Sequence, residues 1–277
     1  MAILLFEENF EDGNLGGLRP LGISPTATSK LARIGTHCMQ SQLEQGETRA
    51  EAKMVSKINA VGNEYWYGFS IFLPEPFEVN SAWESVANWH GRPDFDIGED
   101  FHGQGAPLTL YTAHPQTDPG WTLNIRWDSK PNSTPGGVPD IEGSNYYGFG
   151  PYETGVWTDW VFHVKWSYES DGFLQIWKNH VKVLNRNGPN CYNDEYGPYF
   201  KMGIYRAGRS AGAPRTIYHD EFKMADANST YEDVAPGGKS PEPKPPISRT
   251  ANIIINIPAI QITGTIDLAV LNKQGEK

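Results

Sequence analysis

Eight consecutive residues, Tyr199-Phe200-Lys201-Met202-Gly203-Ile204-Tyr205-Arg206, set two phenols and a primary amine at alternating positions. Side chains alternate across a β-strand, so Tyr199, Lys201, Gly203 and Tyr205 would share one face. Such a row can hold an anionic chain and move protons, and the glycine leaves room for a ligand to lie against the backbone. The plain alternative is an amphipathic strand with its polar face in water. Either way the face must be carried by neighbouring strands.

The chain has 277 residues, among them 9 Trp, 13 Tyr, 12 Phe, 29 Gly and 21 Pro. This composition describes many short strands and many turns: an all-β chain with one large domain and a tail. The net charge of −10 argues against a general nucleic-acid binder, which presents a basic stripe. It leaves room for a local basic groove facing an anionic sugar. The apolar run near Met1 lacks a basic start and is too short for a signal peptide or a membrane span. Export is thus by another route, or a signal has been removed. Cys38 and Cys191 stand in no metal-binding spacing and read as buried thiols in preference to a bridge.

Strands are expected over 3–12, 47–58, 65–73, 107–112 and 121–128, the third ended by Pro74 and Pro76. The segment 129–155, dense in Pro, Gly, Ser and Asn, reads as a long loop that could overhang a groove. Residues Trp157 to Trp166 and Phe173 to Val183 form a hairpin around the turn signal Asp171-Gly172. Arg215 to Met224 gives a further strand. The count and spacing suit a two-sheet antiparallel sandwich, a jelly roll. The domain is bounded at 1–232, followed by a Pro-rich linker at 233–250. Residues 251–277 are a β-prone tail, too small for a core of its own, expected to mediate self-association or docking to a larger assembly.

Several segments, in order, resemble the heparin-lyase and glucuronan-lyase-like polysaccharide lyases, a concanavalin A-like jelly-roll group. They are Phe6 to Glu11, Arg49-Ala50-Glu51, Tyr67-Gly68-Phe69-Ser70 leading to Leu73-Pro74, and Asn88-Trp89-His90. Pro107 to Leu110, Trp157 to Trp160, Gly172 to Trp177, Tyr199 to Arg206 and Tyr218 to Glu221 follow. Gly203-Ile204-Tyr205-Arg206 is similar to glucuronan lyases in particular. The resemblance implies an endo-acting lyase that cuts a uronate-containing polymer by β-elimination, with glucuronan ahead of alginate. Its implied catalytic residues are Tyr205, His90, Asn88 and Arg49, with substrate contacts from Glu51, Trp89, Arg126, Tyr199, Lys201 and Arg206. Asn88 departs from the glutamine usual in the family, offering the same amide on a stem one methylene shorter.

The chemistry asks for these types. The proton beside a uronate carboxylate is too weakly acidic to leave unaided, so amide and guanidinium groups, here Asn88 and Arg49, must neutralise the carboxylate. A base and an acid must then reach the proton and the leaving oxygen. Lys201 and Arg206 would favour the anion of Tyr205, and His90 can accept a proton at neutral pH. Whether Tyr205 acts as acid alone or as base and acid is open from sequence, and Arg49 and Glu51 could simply pair with each other.

The acidic run Asp94 to Asp100 resembles the two-carboxylate strand of concanavalin A-like glucanases, with Asp96 and Glu99 as the pair, although Asp94 is short for a nucleophile. A structural calcium ion held by Glu8 and Asp220, where first and last strands would meet, is expected from carboxylate chemistry; the reaction itself requires no cofactor. A non-catalytic glycan-binding or phage virion-surface protein on the same sandwich is the rival reading. The expected partner is an acidic polysaccharide, with no nucleic acid or membrane, met outside the cell or on a virion.

Overall fold

Period-two alternation of apolar residues becomes two antiparallel sheets that share their inward faces. In this computed structural model the described residues are 1–55, 59–77, 83–114, 116, 119–135, 138–206, 213–237, 250–257 and 260–267. The strands of the first unit, Met1–Ser240, are β1 (Leu4–Glu8), β2 (Leu18–Gly22), β3 (Thr26–Thr28), β4 (Cys38–Leu43), β5 (Arg49–Met54), β6 (Glu64–Phe72), β7 (Glu84–His90) and β8 (Leu108–Ala113). They continue with β9 (Thr122–Trp127), β10 (Gly143–Gly148), β11 (Trp157–Lys165), β12 (Phe173–Lys178), β13 (Val181–Asn187), β14 (Tyr199–Arg206) and β15 (Arg215–Asp226).

One sheet runs β13-β12-β11-β6-β15-β4-β3, with β1 also on β15; the other runs β10-β9-β8-β7-β14-β5-β2. This is the all-β sandwich expected from sequence. Its core is aromatic: Phe69 on β6, Trp89 on β7, Phe162 on β11 and Phe200 on β14 are fully buried, with Trp89 ring centroids 4.6 Å from Phe162 and 4.9 Å from Phe200. Such rings contribute most of the apolar area removed from water. A short helix, α1 (Phe101–Gln104), precedes β8, and α2 (Tyr231–Val234) follows β15. Val234 packs so closely over β6 that a Cβ on Gly68 would collide with its carbonyl.

Two local expectations change, and the tail gains a described element. The segment 129–155 is not all loop, because Gly143–Gly148 pairs with β9 as the sheet's outermost strand; an edge strand needs few apolar residues, so composition hid it. The expected strand to Val183 ends at Lys178, since Asn179 and His180 take positive φ values of 47° and 68° and turn the chain into β13. The Ile-rich tail, in the unit Pro241–Lys277, pairs with itself: β16 (Thr250–Ile257) and β17 (Ile260–Asp267) form an antiparallel hairpin. The linker residues 238–249 lie outside the described residues. Cys38 and Cys191 are buried free thiols, as read from sequence.

Candidate active site

The outward face of the second sheet collects the chemistry. Along β14, Phe200, Met202 and Ile204 are buried in the core, which turns Tyr199, Lys201 and Tyr205 to the other side. The same alternation sends Ala50 and Ala52 of β5 and Ala87 and Trp89 of β7 inward, leaving Arg49, Glu51, Asn88 and His90 outward. The ladder sets Lys201 beside Asn88, Tyr199 beside His90, and Tyr205 beside Arg49 on one flank and Ser85 on the other. Tyr199, Lys201, Tyr205, Arg49, Asn88, His90 and, from β9, Arg126 line one groove of about 560 Å³.

Gly203 has a different role from the one its position suggested. Its φ is 130°, the register shifts between Met202 and Tyr205, and a Cβ there would strike the Ala50 carbonyl on β5. The glycine admits the neighbouring strand and a bulge that aims Tyr205, and the space beside it is filled by protein backbone.

A family model for polysaccharide lyases matches residues 21–223. The chain belongs to the polysaccharide lyase family. Among solved structures, the endo-β-1,4-glucuronan lyase of the fungus Trichoderma reesei superposes with a TM-score of 0.68 at 19% identity, covering 86% of this chain and 100% of that one. The alginate lyase vAL-1 from Chlorella virus gives 0.52 at 11% identity, covering 81% and 100%, and the cellulose induced protein Cip1 gives 0.50 at 14%, covering 81% and 97%. At these identities the likeness shows a common sandwich. No curated protein sequence matches the chain.

Within the lyase, Glu51 organises the groove floor. Its carboxylate is almost fully buried, accepts from Asn88 Nδ2 at 3.0 Å and Lys201 Nζ at 3.4 Å, and forms an ion pair with Arg49 Nε at 3.3 Å. The residue therefore acts from beneath, through three groove-lining groups, and is not itself a lining side chain. Burial depresses the Lys201 amine below its ordinary value, and the Glu51 charge opposes that shift. Asn88 spends one of its two N–H groups on Glu51, and its buried Oδ1 has no hydrogen-bond partner among the described residues.

His90 donates from Nδ1 to the Gly91 carbonyl at 3.0 Å, the tautomer that leaves Nε2 as an acceptor. Burial, then the Lys201 charge, push its pKa down to about 4, so the ring is neutral across the ordinary pH range. The Arg49 guanidinium lies 4.1 Å from the centroid of the Tyr205 ring, and the Trp83 ring meets Tyr205 edge-on at 5.1 Å. His90 and Tyr205 stand at opposite ends of the β7–β14 ladder, His90 being five residues beyond Ser85, or about 16 Å along the strand. Asn88 and Lys201 lie between them on the ladder, so the two side chains would have to converge over that pair to meet on one sugar unit.

Two more expected substrate contacts, besides Glu51, are corrected. Trp89 is wholly in the aromatic core, and Arg206 is buried with its Nε donating to Glu84 at 2.8 Å. Both lie on the inward phase of their strands, against what the resemblance implies, and the Arg206 guanidinium is paired with Glu84 instead of facing the groove. The glucanase reading fails as well: Phe95–Ile97 is a 3₁₀ turn, and the buried Glu99 carboxylate accepts from Asp94 N, Ser133 N and Ser133 Oγ. Neither Asp96 nor Glu99 reaches the groove.

Glu8 and Asp220 lie on paired strands, as expected for first and last. Glu8 accepts from the backbone of Phe10 and Gly17, and Asp220 from Arg33 and Glu221. Calcium needs six to eight oxygens, and no group of three or more His, Cys, Asp or Glu among the described residues is placed to hold a metal. On these contacts the two carboxylates clamp loops.

Sequence reasoning passed over Lys53, Trp83, Tyr111 and His114, which also line the groove. Lys53 and Tyr111 follow the alternation of β5 and β8 and were readable from it. Trp83 and His114 flank strands, where no period marks them.

Proposed function

We propose that the lyase cuts within a uronate-containing polysaccharide by β-elimination, with glucuronan as first substrate and alginate as second. The observation that carries this is the groove itself: Arg49, Lys53, Arg126 and Lys201 line it together with Tyr199 and Tyr205, and among the described residues no acidic side chain does. Such a surface suits a polyanion. The endo-β-1,4-glucuronan lyase that shares the fold over its full length is the reason for naming glucuronan first. Arg49, Lys201 and the remaining Asn88 N–H neutralise the uronate carboxylate, which stabilises enolate-like charge as it develops.

His90 Nε2 accepts the proton from the carbon next to the carboxylate. The electron pair left behind forms a double bond to ring carbon four, the bond from that carbon to the glycosidic oxygen breaks, and the Tyr205 hydroxyl protonates the departing oxygen. The products are a new non-reducing end with a double bond conjugated to its carboxylate and a shortened chain. Incubation with glucuronan, alginate and other uronic polymers, followed by ultraviolet absorbance, tests the reading: absorbance must rise as chains are cut. Reducing ends that accumulate without absorbance would refute elimination. Polymers of this class are met outside the cell or on a virion surface, where we place the activity.

A further inference from the structure

The groove does not stop at Tyr199. A second hollow of about 410 Å³ shares Lys53, Phe101 and Tyr199 with it and is walled by the loop from Arg92 to Phe101. This loop breaks the pattern of a protein that hides its large apolar side chains. Phe95 is 61% exposed and Phe101 50%, and their rings meet edge-on at 5.4 Å. Phe101 in turn stands 5.6 Å from the His90 ring, so the aromatic row leads out from a candidate catalytic residue. Adjacent exposed rings rimmed by polar groups mark a binding surface.

The charge of this wall differs from that of the catalytic groove. Asp94, Asp96 and Glu195 face Lys53 and Arg92 here, and the Arg92 guanidinium is spread over the Tyr199 ring at 4.7 Å. A uronate carboxylate gains no net attraction from three acids and two bases. The apolar face of a sugar ring, in contrast, gains from two exposed phenyl rings.

Resting on the lyase reading above, we infer that the Arg92–Phe101 loop forms a distal subsite for a further sugar unit of the same polysaccharide chain, held by ring stacking on Phe95 and Phe101. The occupant follows from continuity: a chain leaving the catalytic groove past Tyr199 enters this hollow directly. The subsite makes affinity depend on chain length, and its share of the affinity is insensitive to salt, whereas the cationic groove's share is screened.

The test uses the full chain carrying Tyr205→Phe to stop turnover, with glucuronan oligosaccharides of three and eight units as probes in titration calorimetry. Adding Phe95→Ala should weaken octasaccharide binding by about two- to tenfold, the range for one aromatic stacking contact. It should leave the trisaccharide unchanged, and the factor should persist at high salt. Phe95→Trp should restore it. Because Phe95 is exposed, the substitution leaves the fold intact. An equal effect on both lengths, no effect, or a factor that vanishes with salt overturns the subsite. If the wild-type protein neither binds nor cuts glucuronan, the substrate reading falls and takes this inference with it; if it cuts glucuronan and Phe95→Ala is blind to length, the subsite alone falls.

Discussion

Replacing Glu51 by Gln removes one negative charge from beneath the groove and keeps the volume. The Glu51 and Lys201 side chains are 2% and 3% exposed, with 3.4 Å between their charges. At an effective dielectric of about 20 the attraction is on the order of 5 kcal/mol before the cost of desolvating either group. Removing one partner of a buried pair typically costs about 3–5 kcal/mol. Because Gln can still accept from Asn88, we expect about 2–4 kcal/mol, a fall in Tm on the order of 10 °C for a unit of this size. Without the carboxylate, burial acts on Lys201 unopposed and its pKa falls further.

In the proposed mechanism the charged amine holds the substrate carboxylate, so activity should be lost as pH rises through the Lys201 pKa. In Glu51→Gln this alkaline limb must move to lower pH. Thermal melts and pH–rate profiles measured on the same preparations read both effects. The double variant Glu51→Gln/Lys201→Met removes both charges, and its Tm should exceed that of Glu51→Gln alone. A single variant with wild-type Tm and an unmoved alkaline limb would refute the role given to Glu51.

Tyr205→Phe should lower kcat by about 10²–10⁴-fold, the usual share of a positioned proton donor, with binding of the polymer by calorimetry nearly unchanged; near-normal turnover would remove Tyr205 from the chemistry. With His90 held at a pKa of about 4, the acid limb of kcat/KM should lie near pH 4; a limb at 6.5 would show that the ring is neither buried nor beside Lys201 in solution. Gly203→Ala should cost at least about 1–3 kcal/mol from the positive φ alone and disturb activity further by shifting β14 on β5; unchanged melting would mean that the bulge is absent.

The alternation of Tyr199 to Arg206 located three groove residues correctly because side-chain direction in a strand is fixed by parity. The same rule sends Trp89 and Arg206 inward, against what the resemblance implies for them. Two features were beyond local reading. Glu51 looks like half of a surface pair with Arg49 until the long-range β5–β14 pairing brings Lys201 over it, and an edge strand such as Gly143–Gly148 is written in the residues of a loop.

The pairing of β15 has a consequence for how the protein is made. This last strand of the sandwich lies between β6 and β4 and also holds β1, so the first sheet lacks its central member until residue 226 has left the ribosome. Up to that moment β6 and β4 expose unpaired edges and their apolar inward faces. Contacts this distant in sequence form slowly, and the interval is one in which strands of two nascent chains can pair with each other. Expression yield should therefore respond to chaperone supply and to translation rate more than to the stability of the finished sandwich.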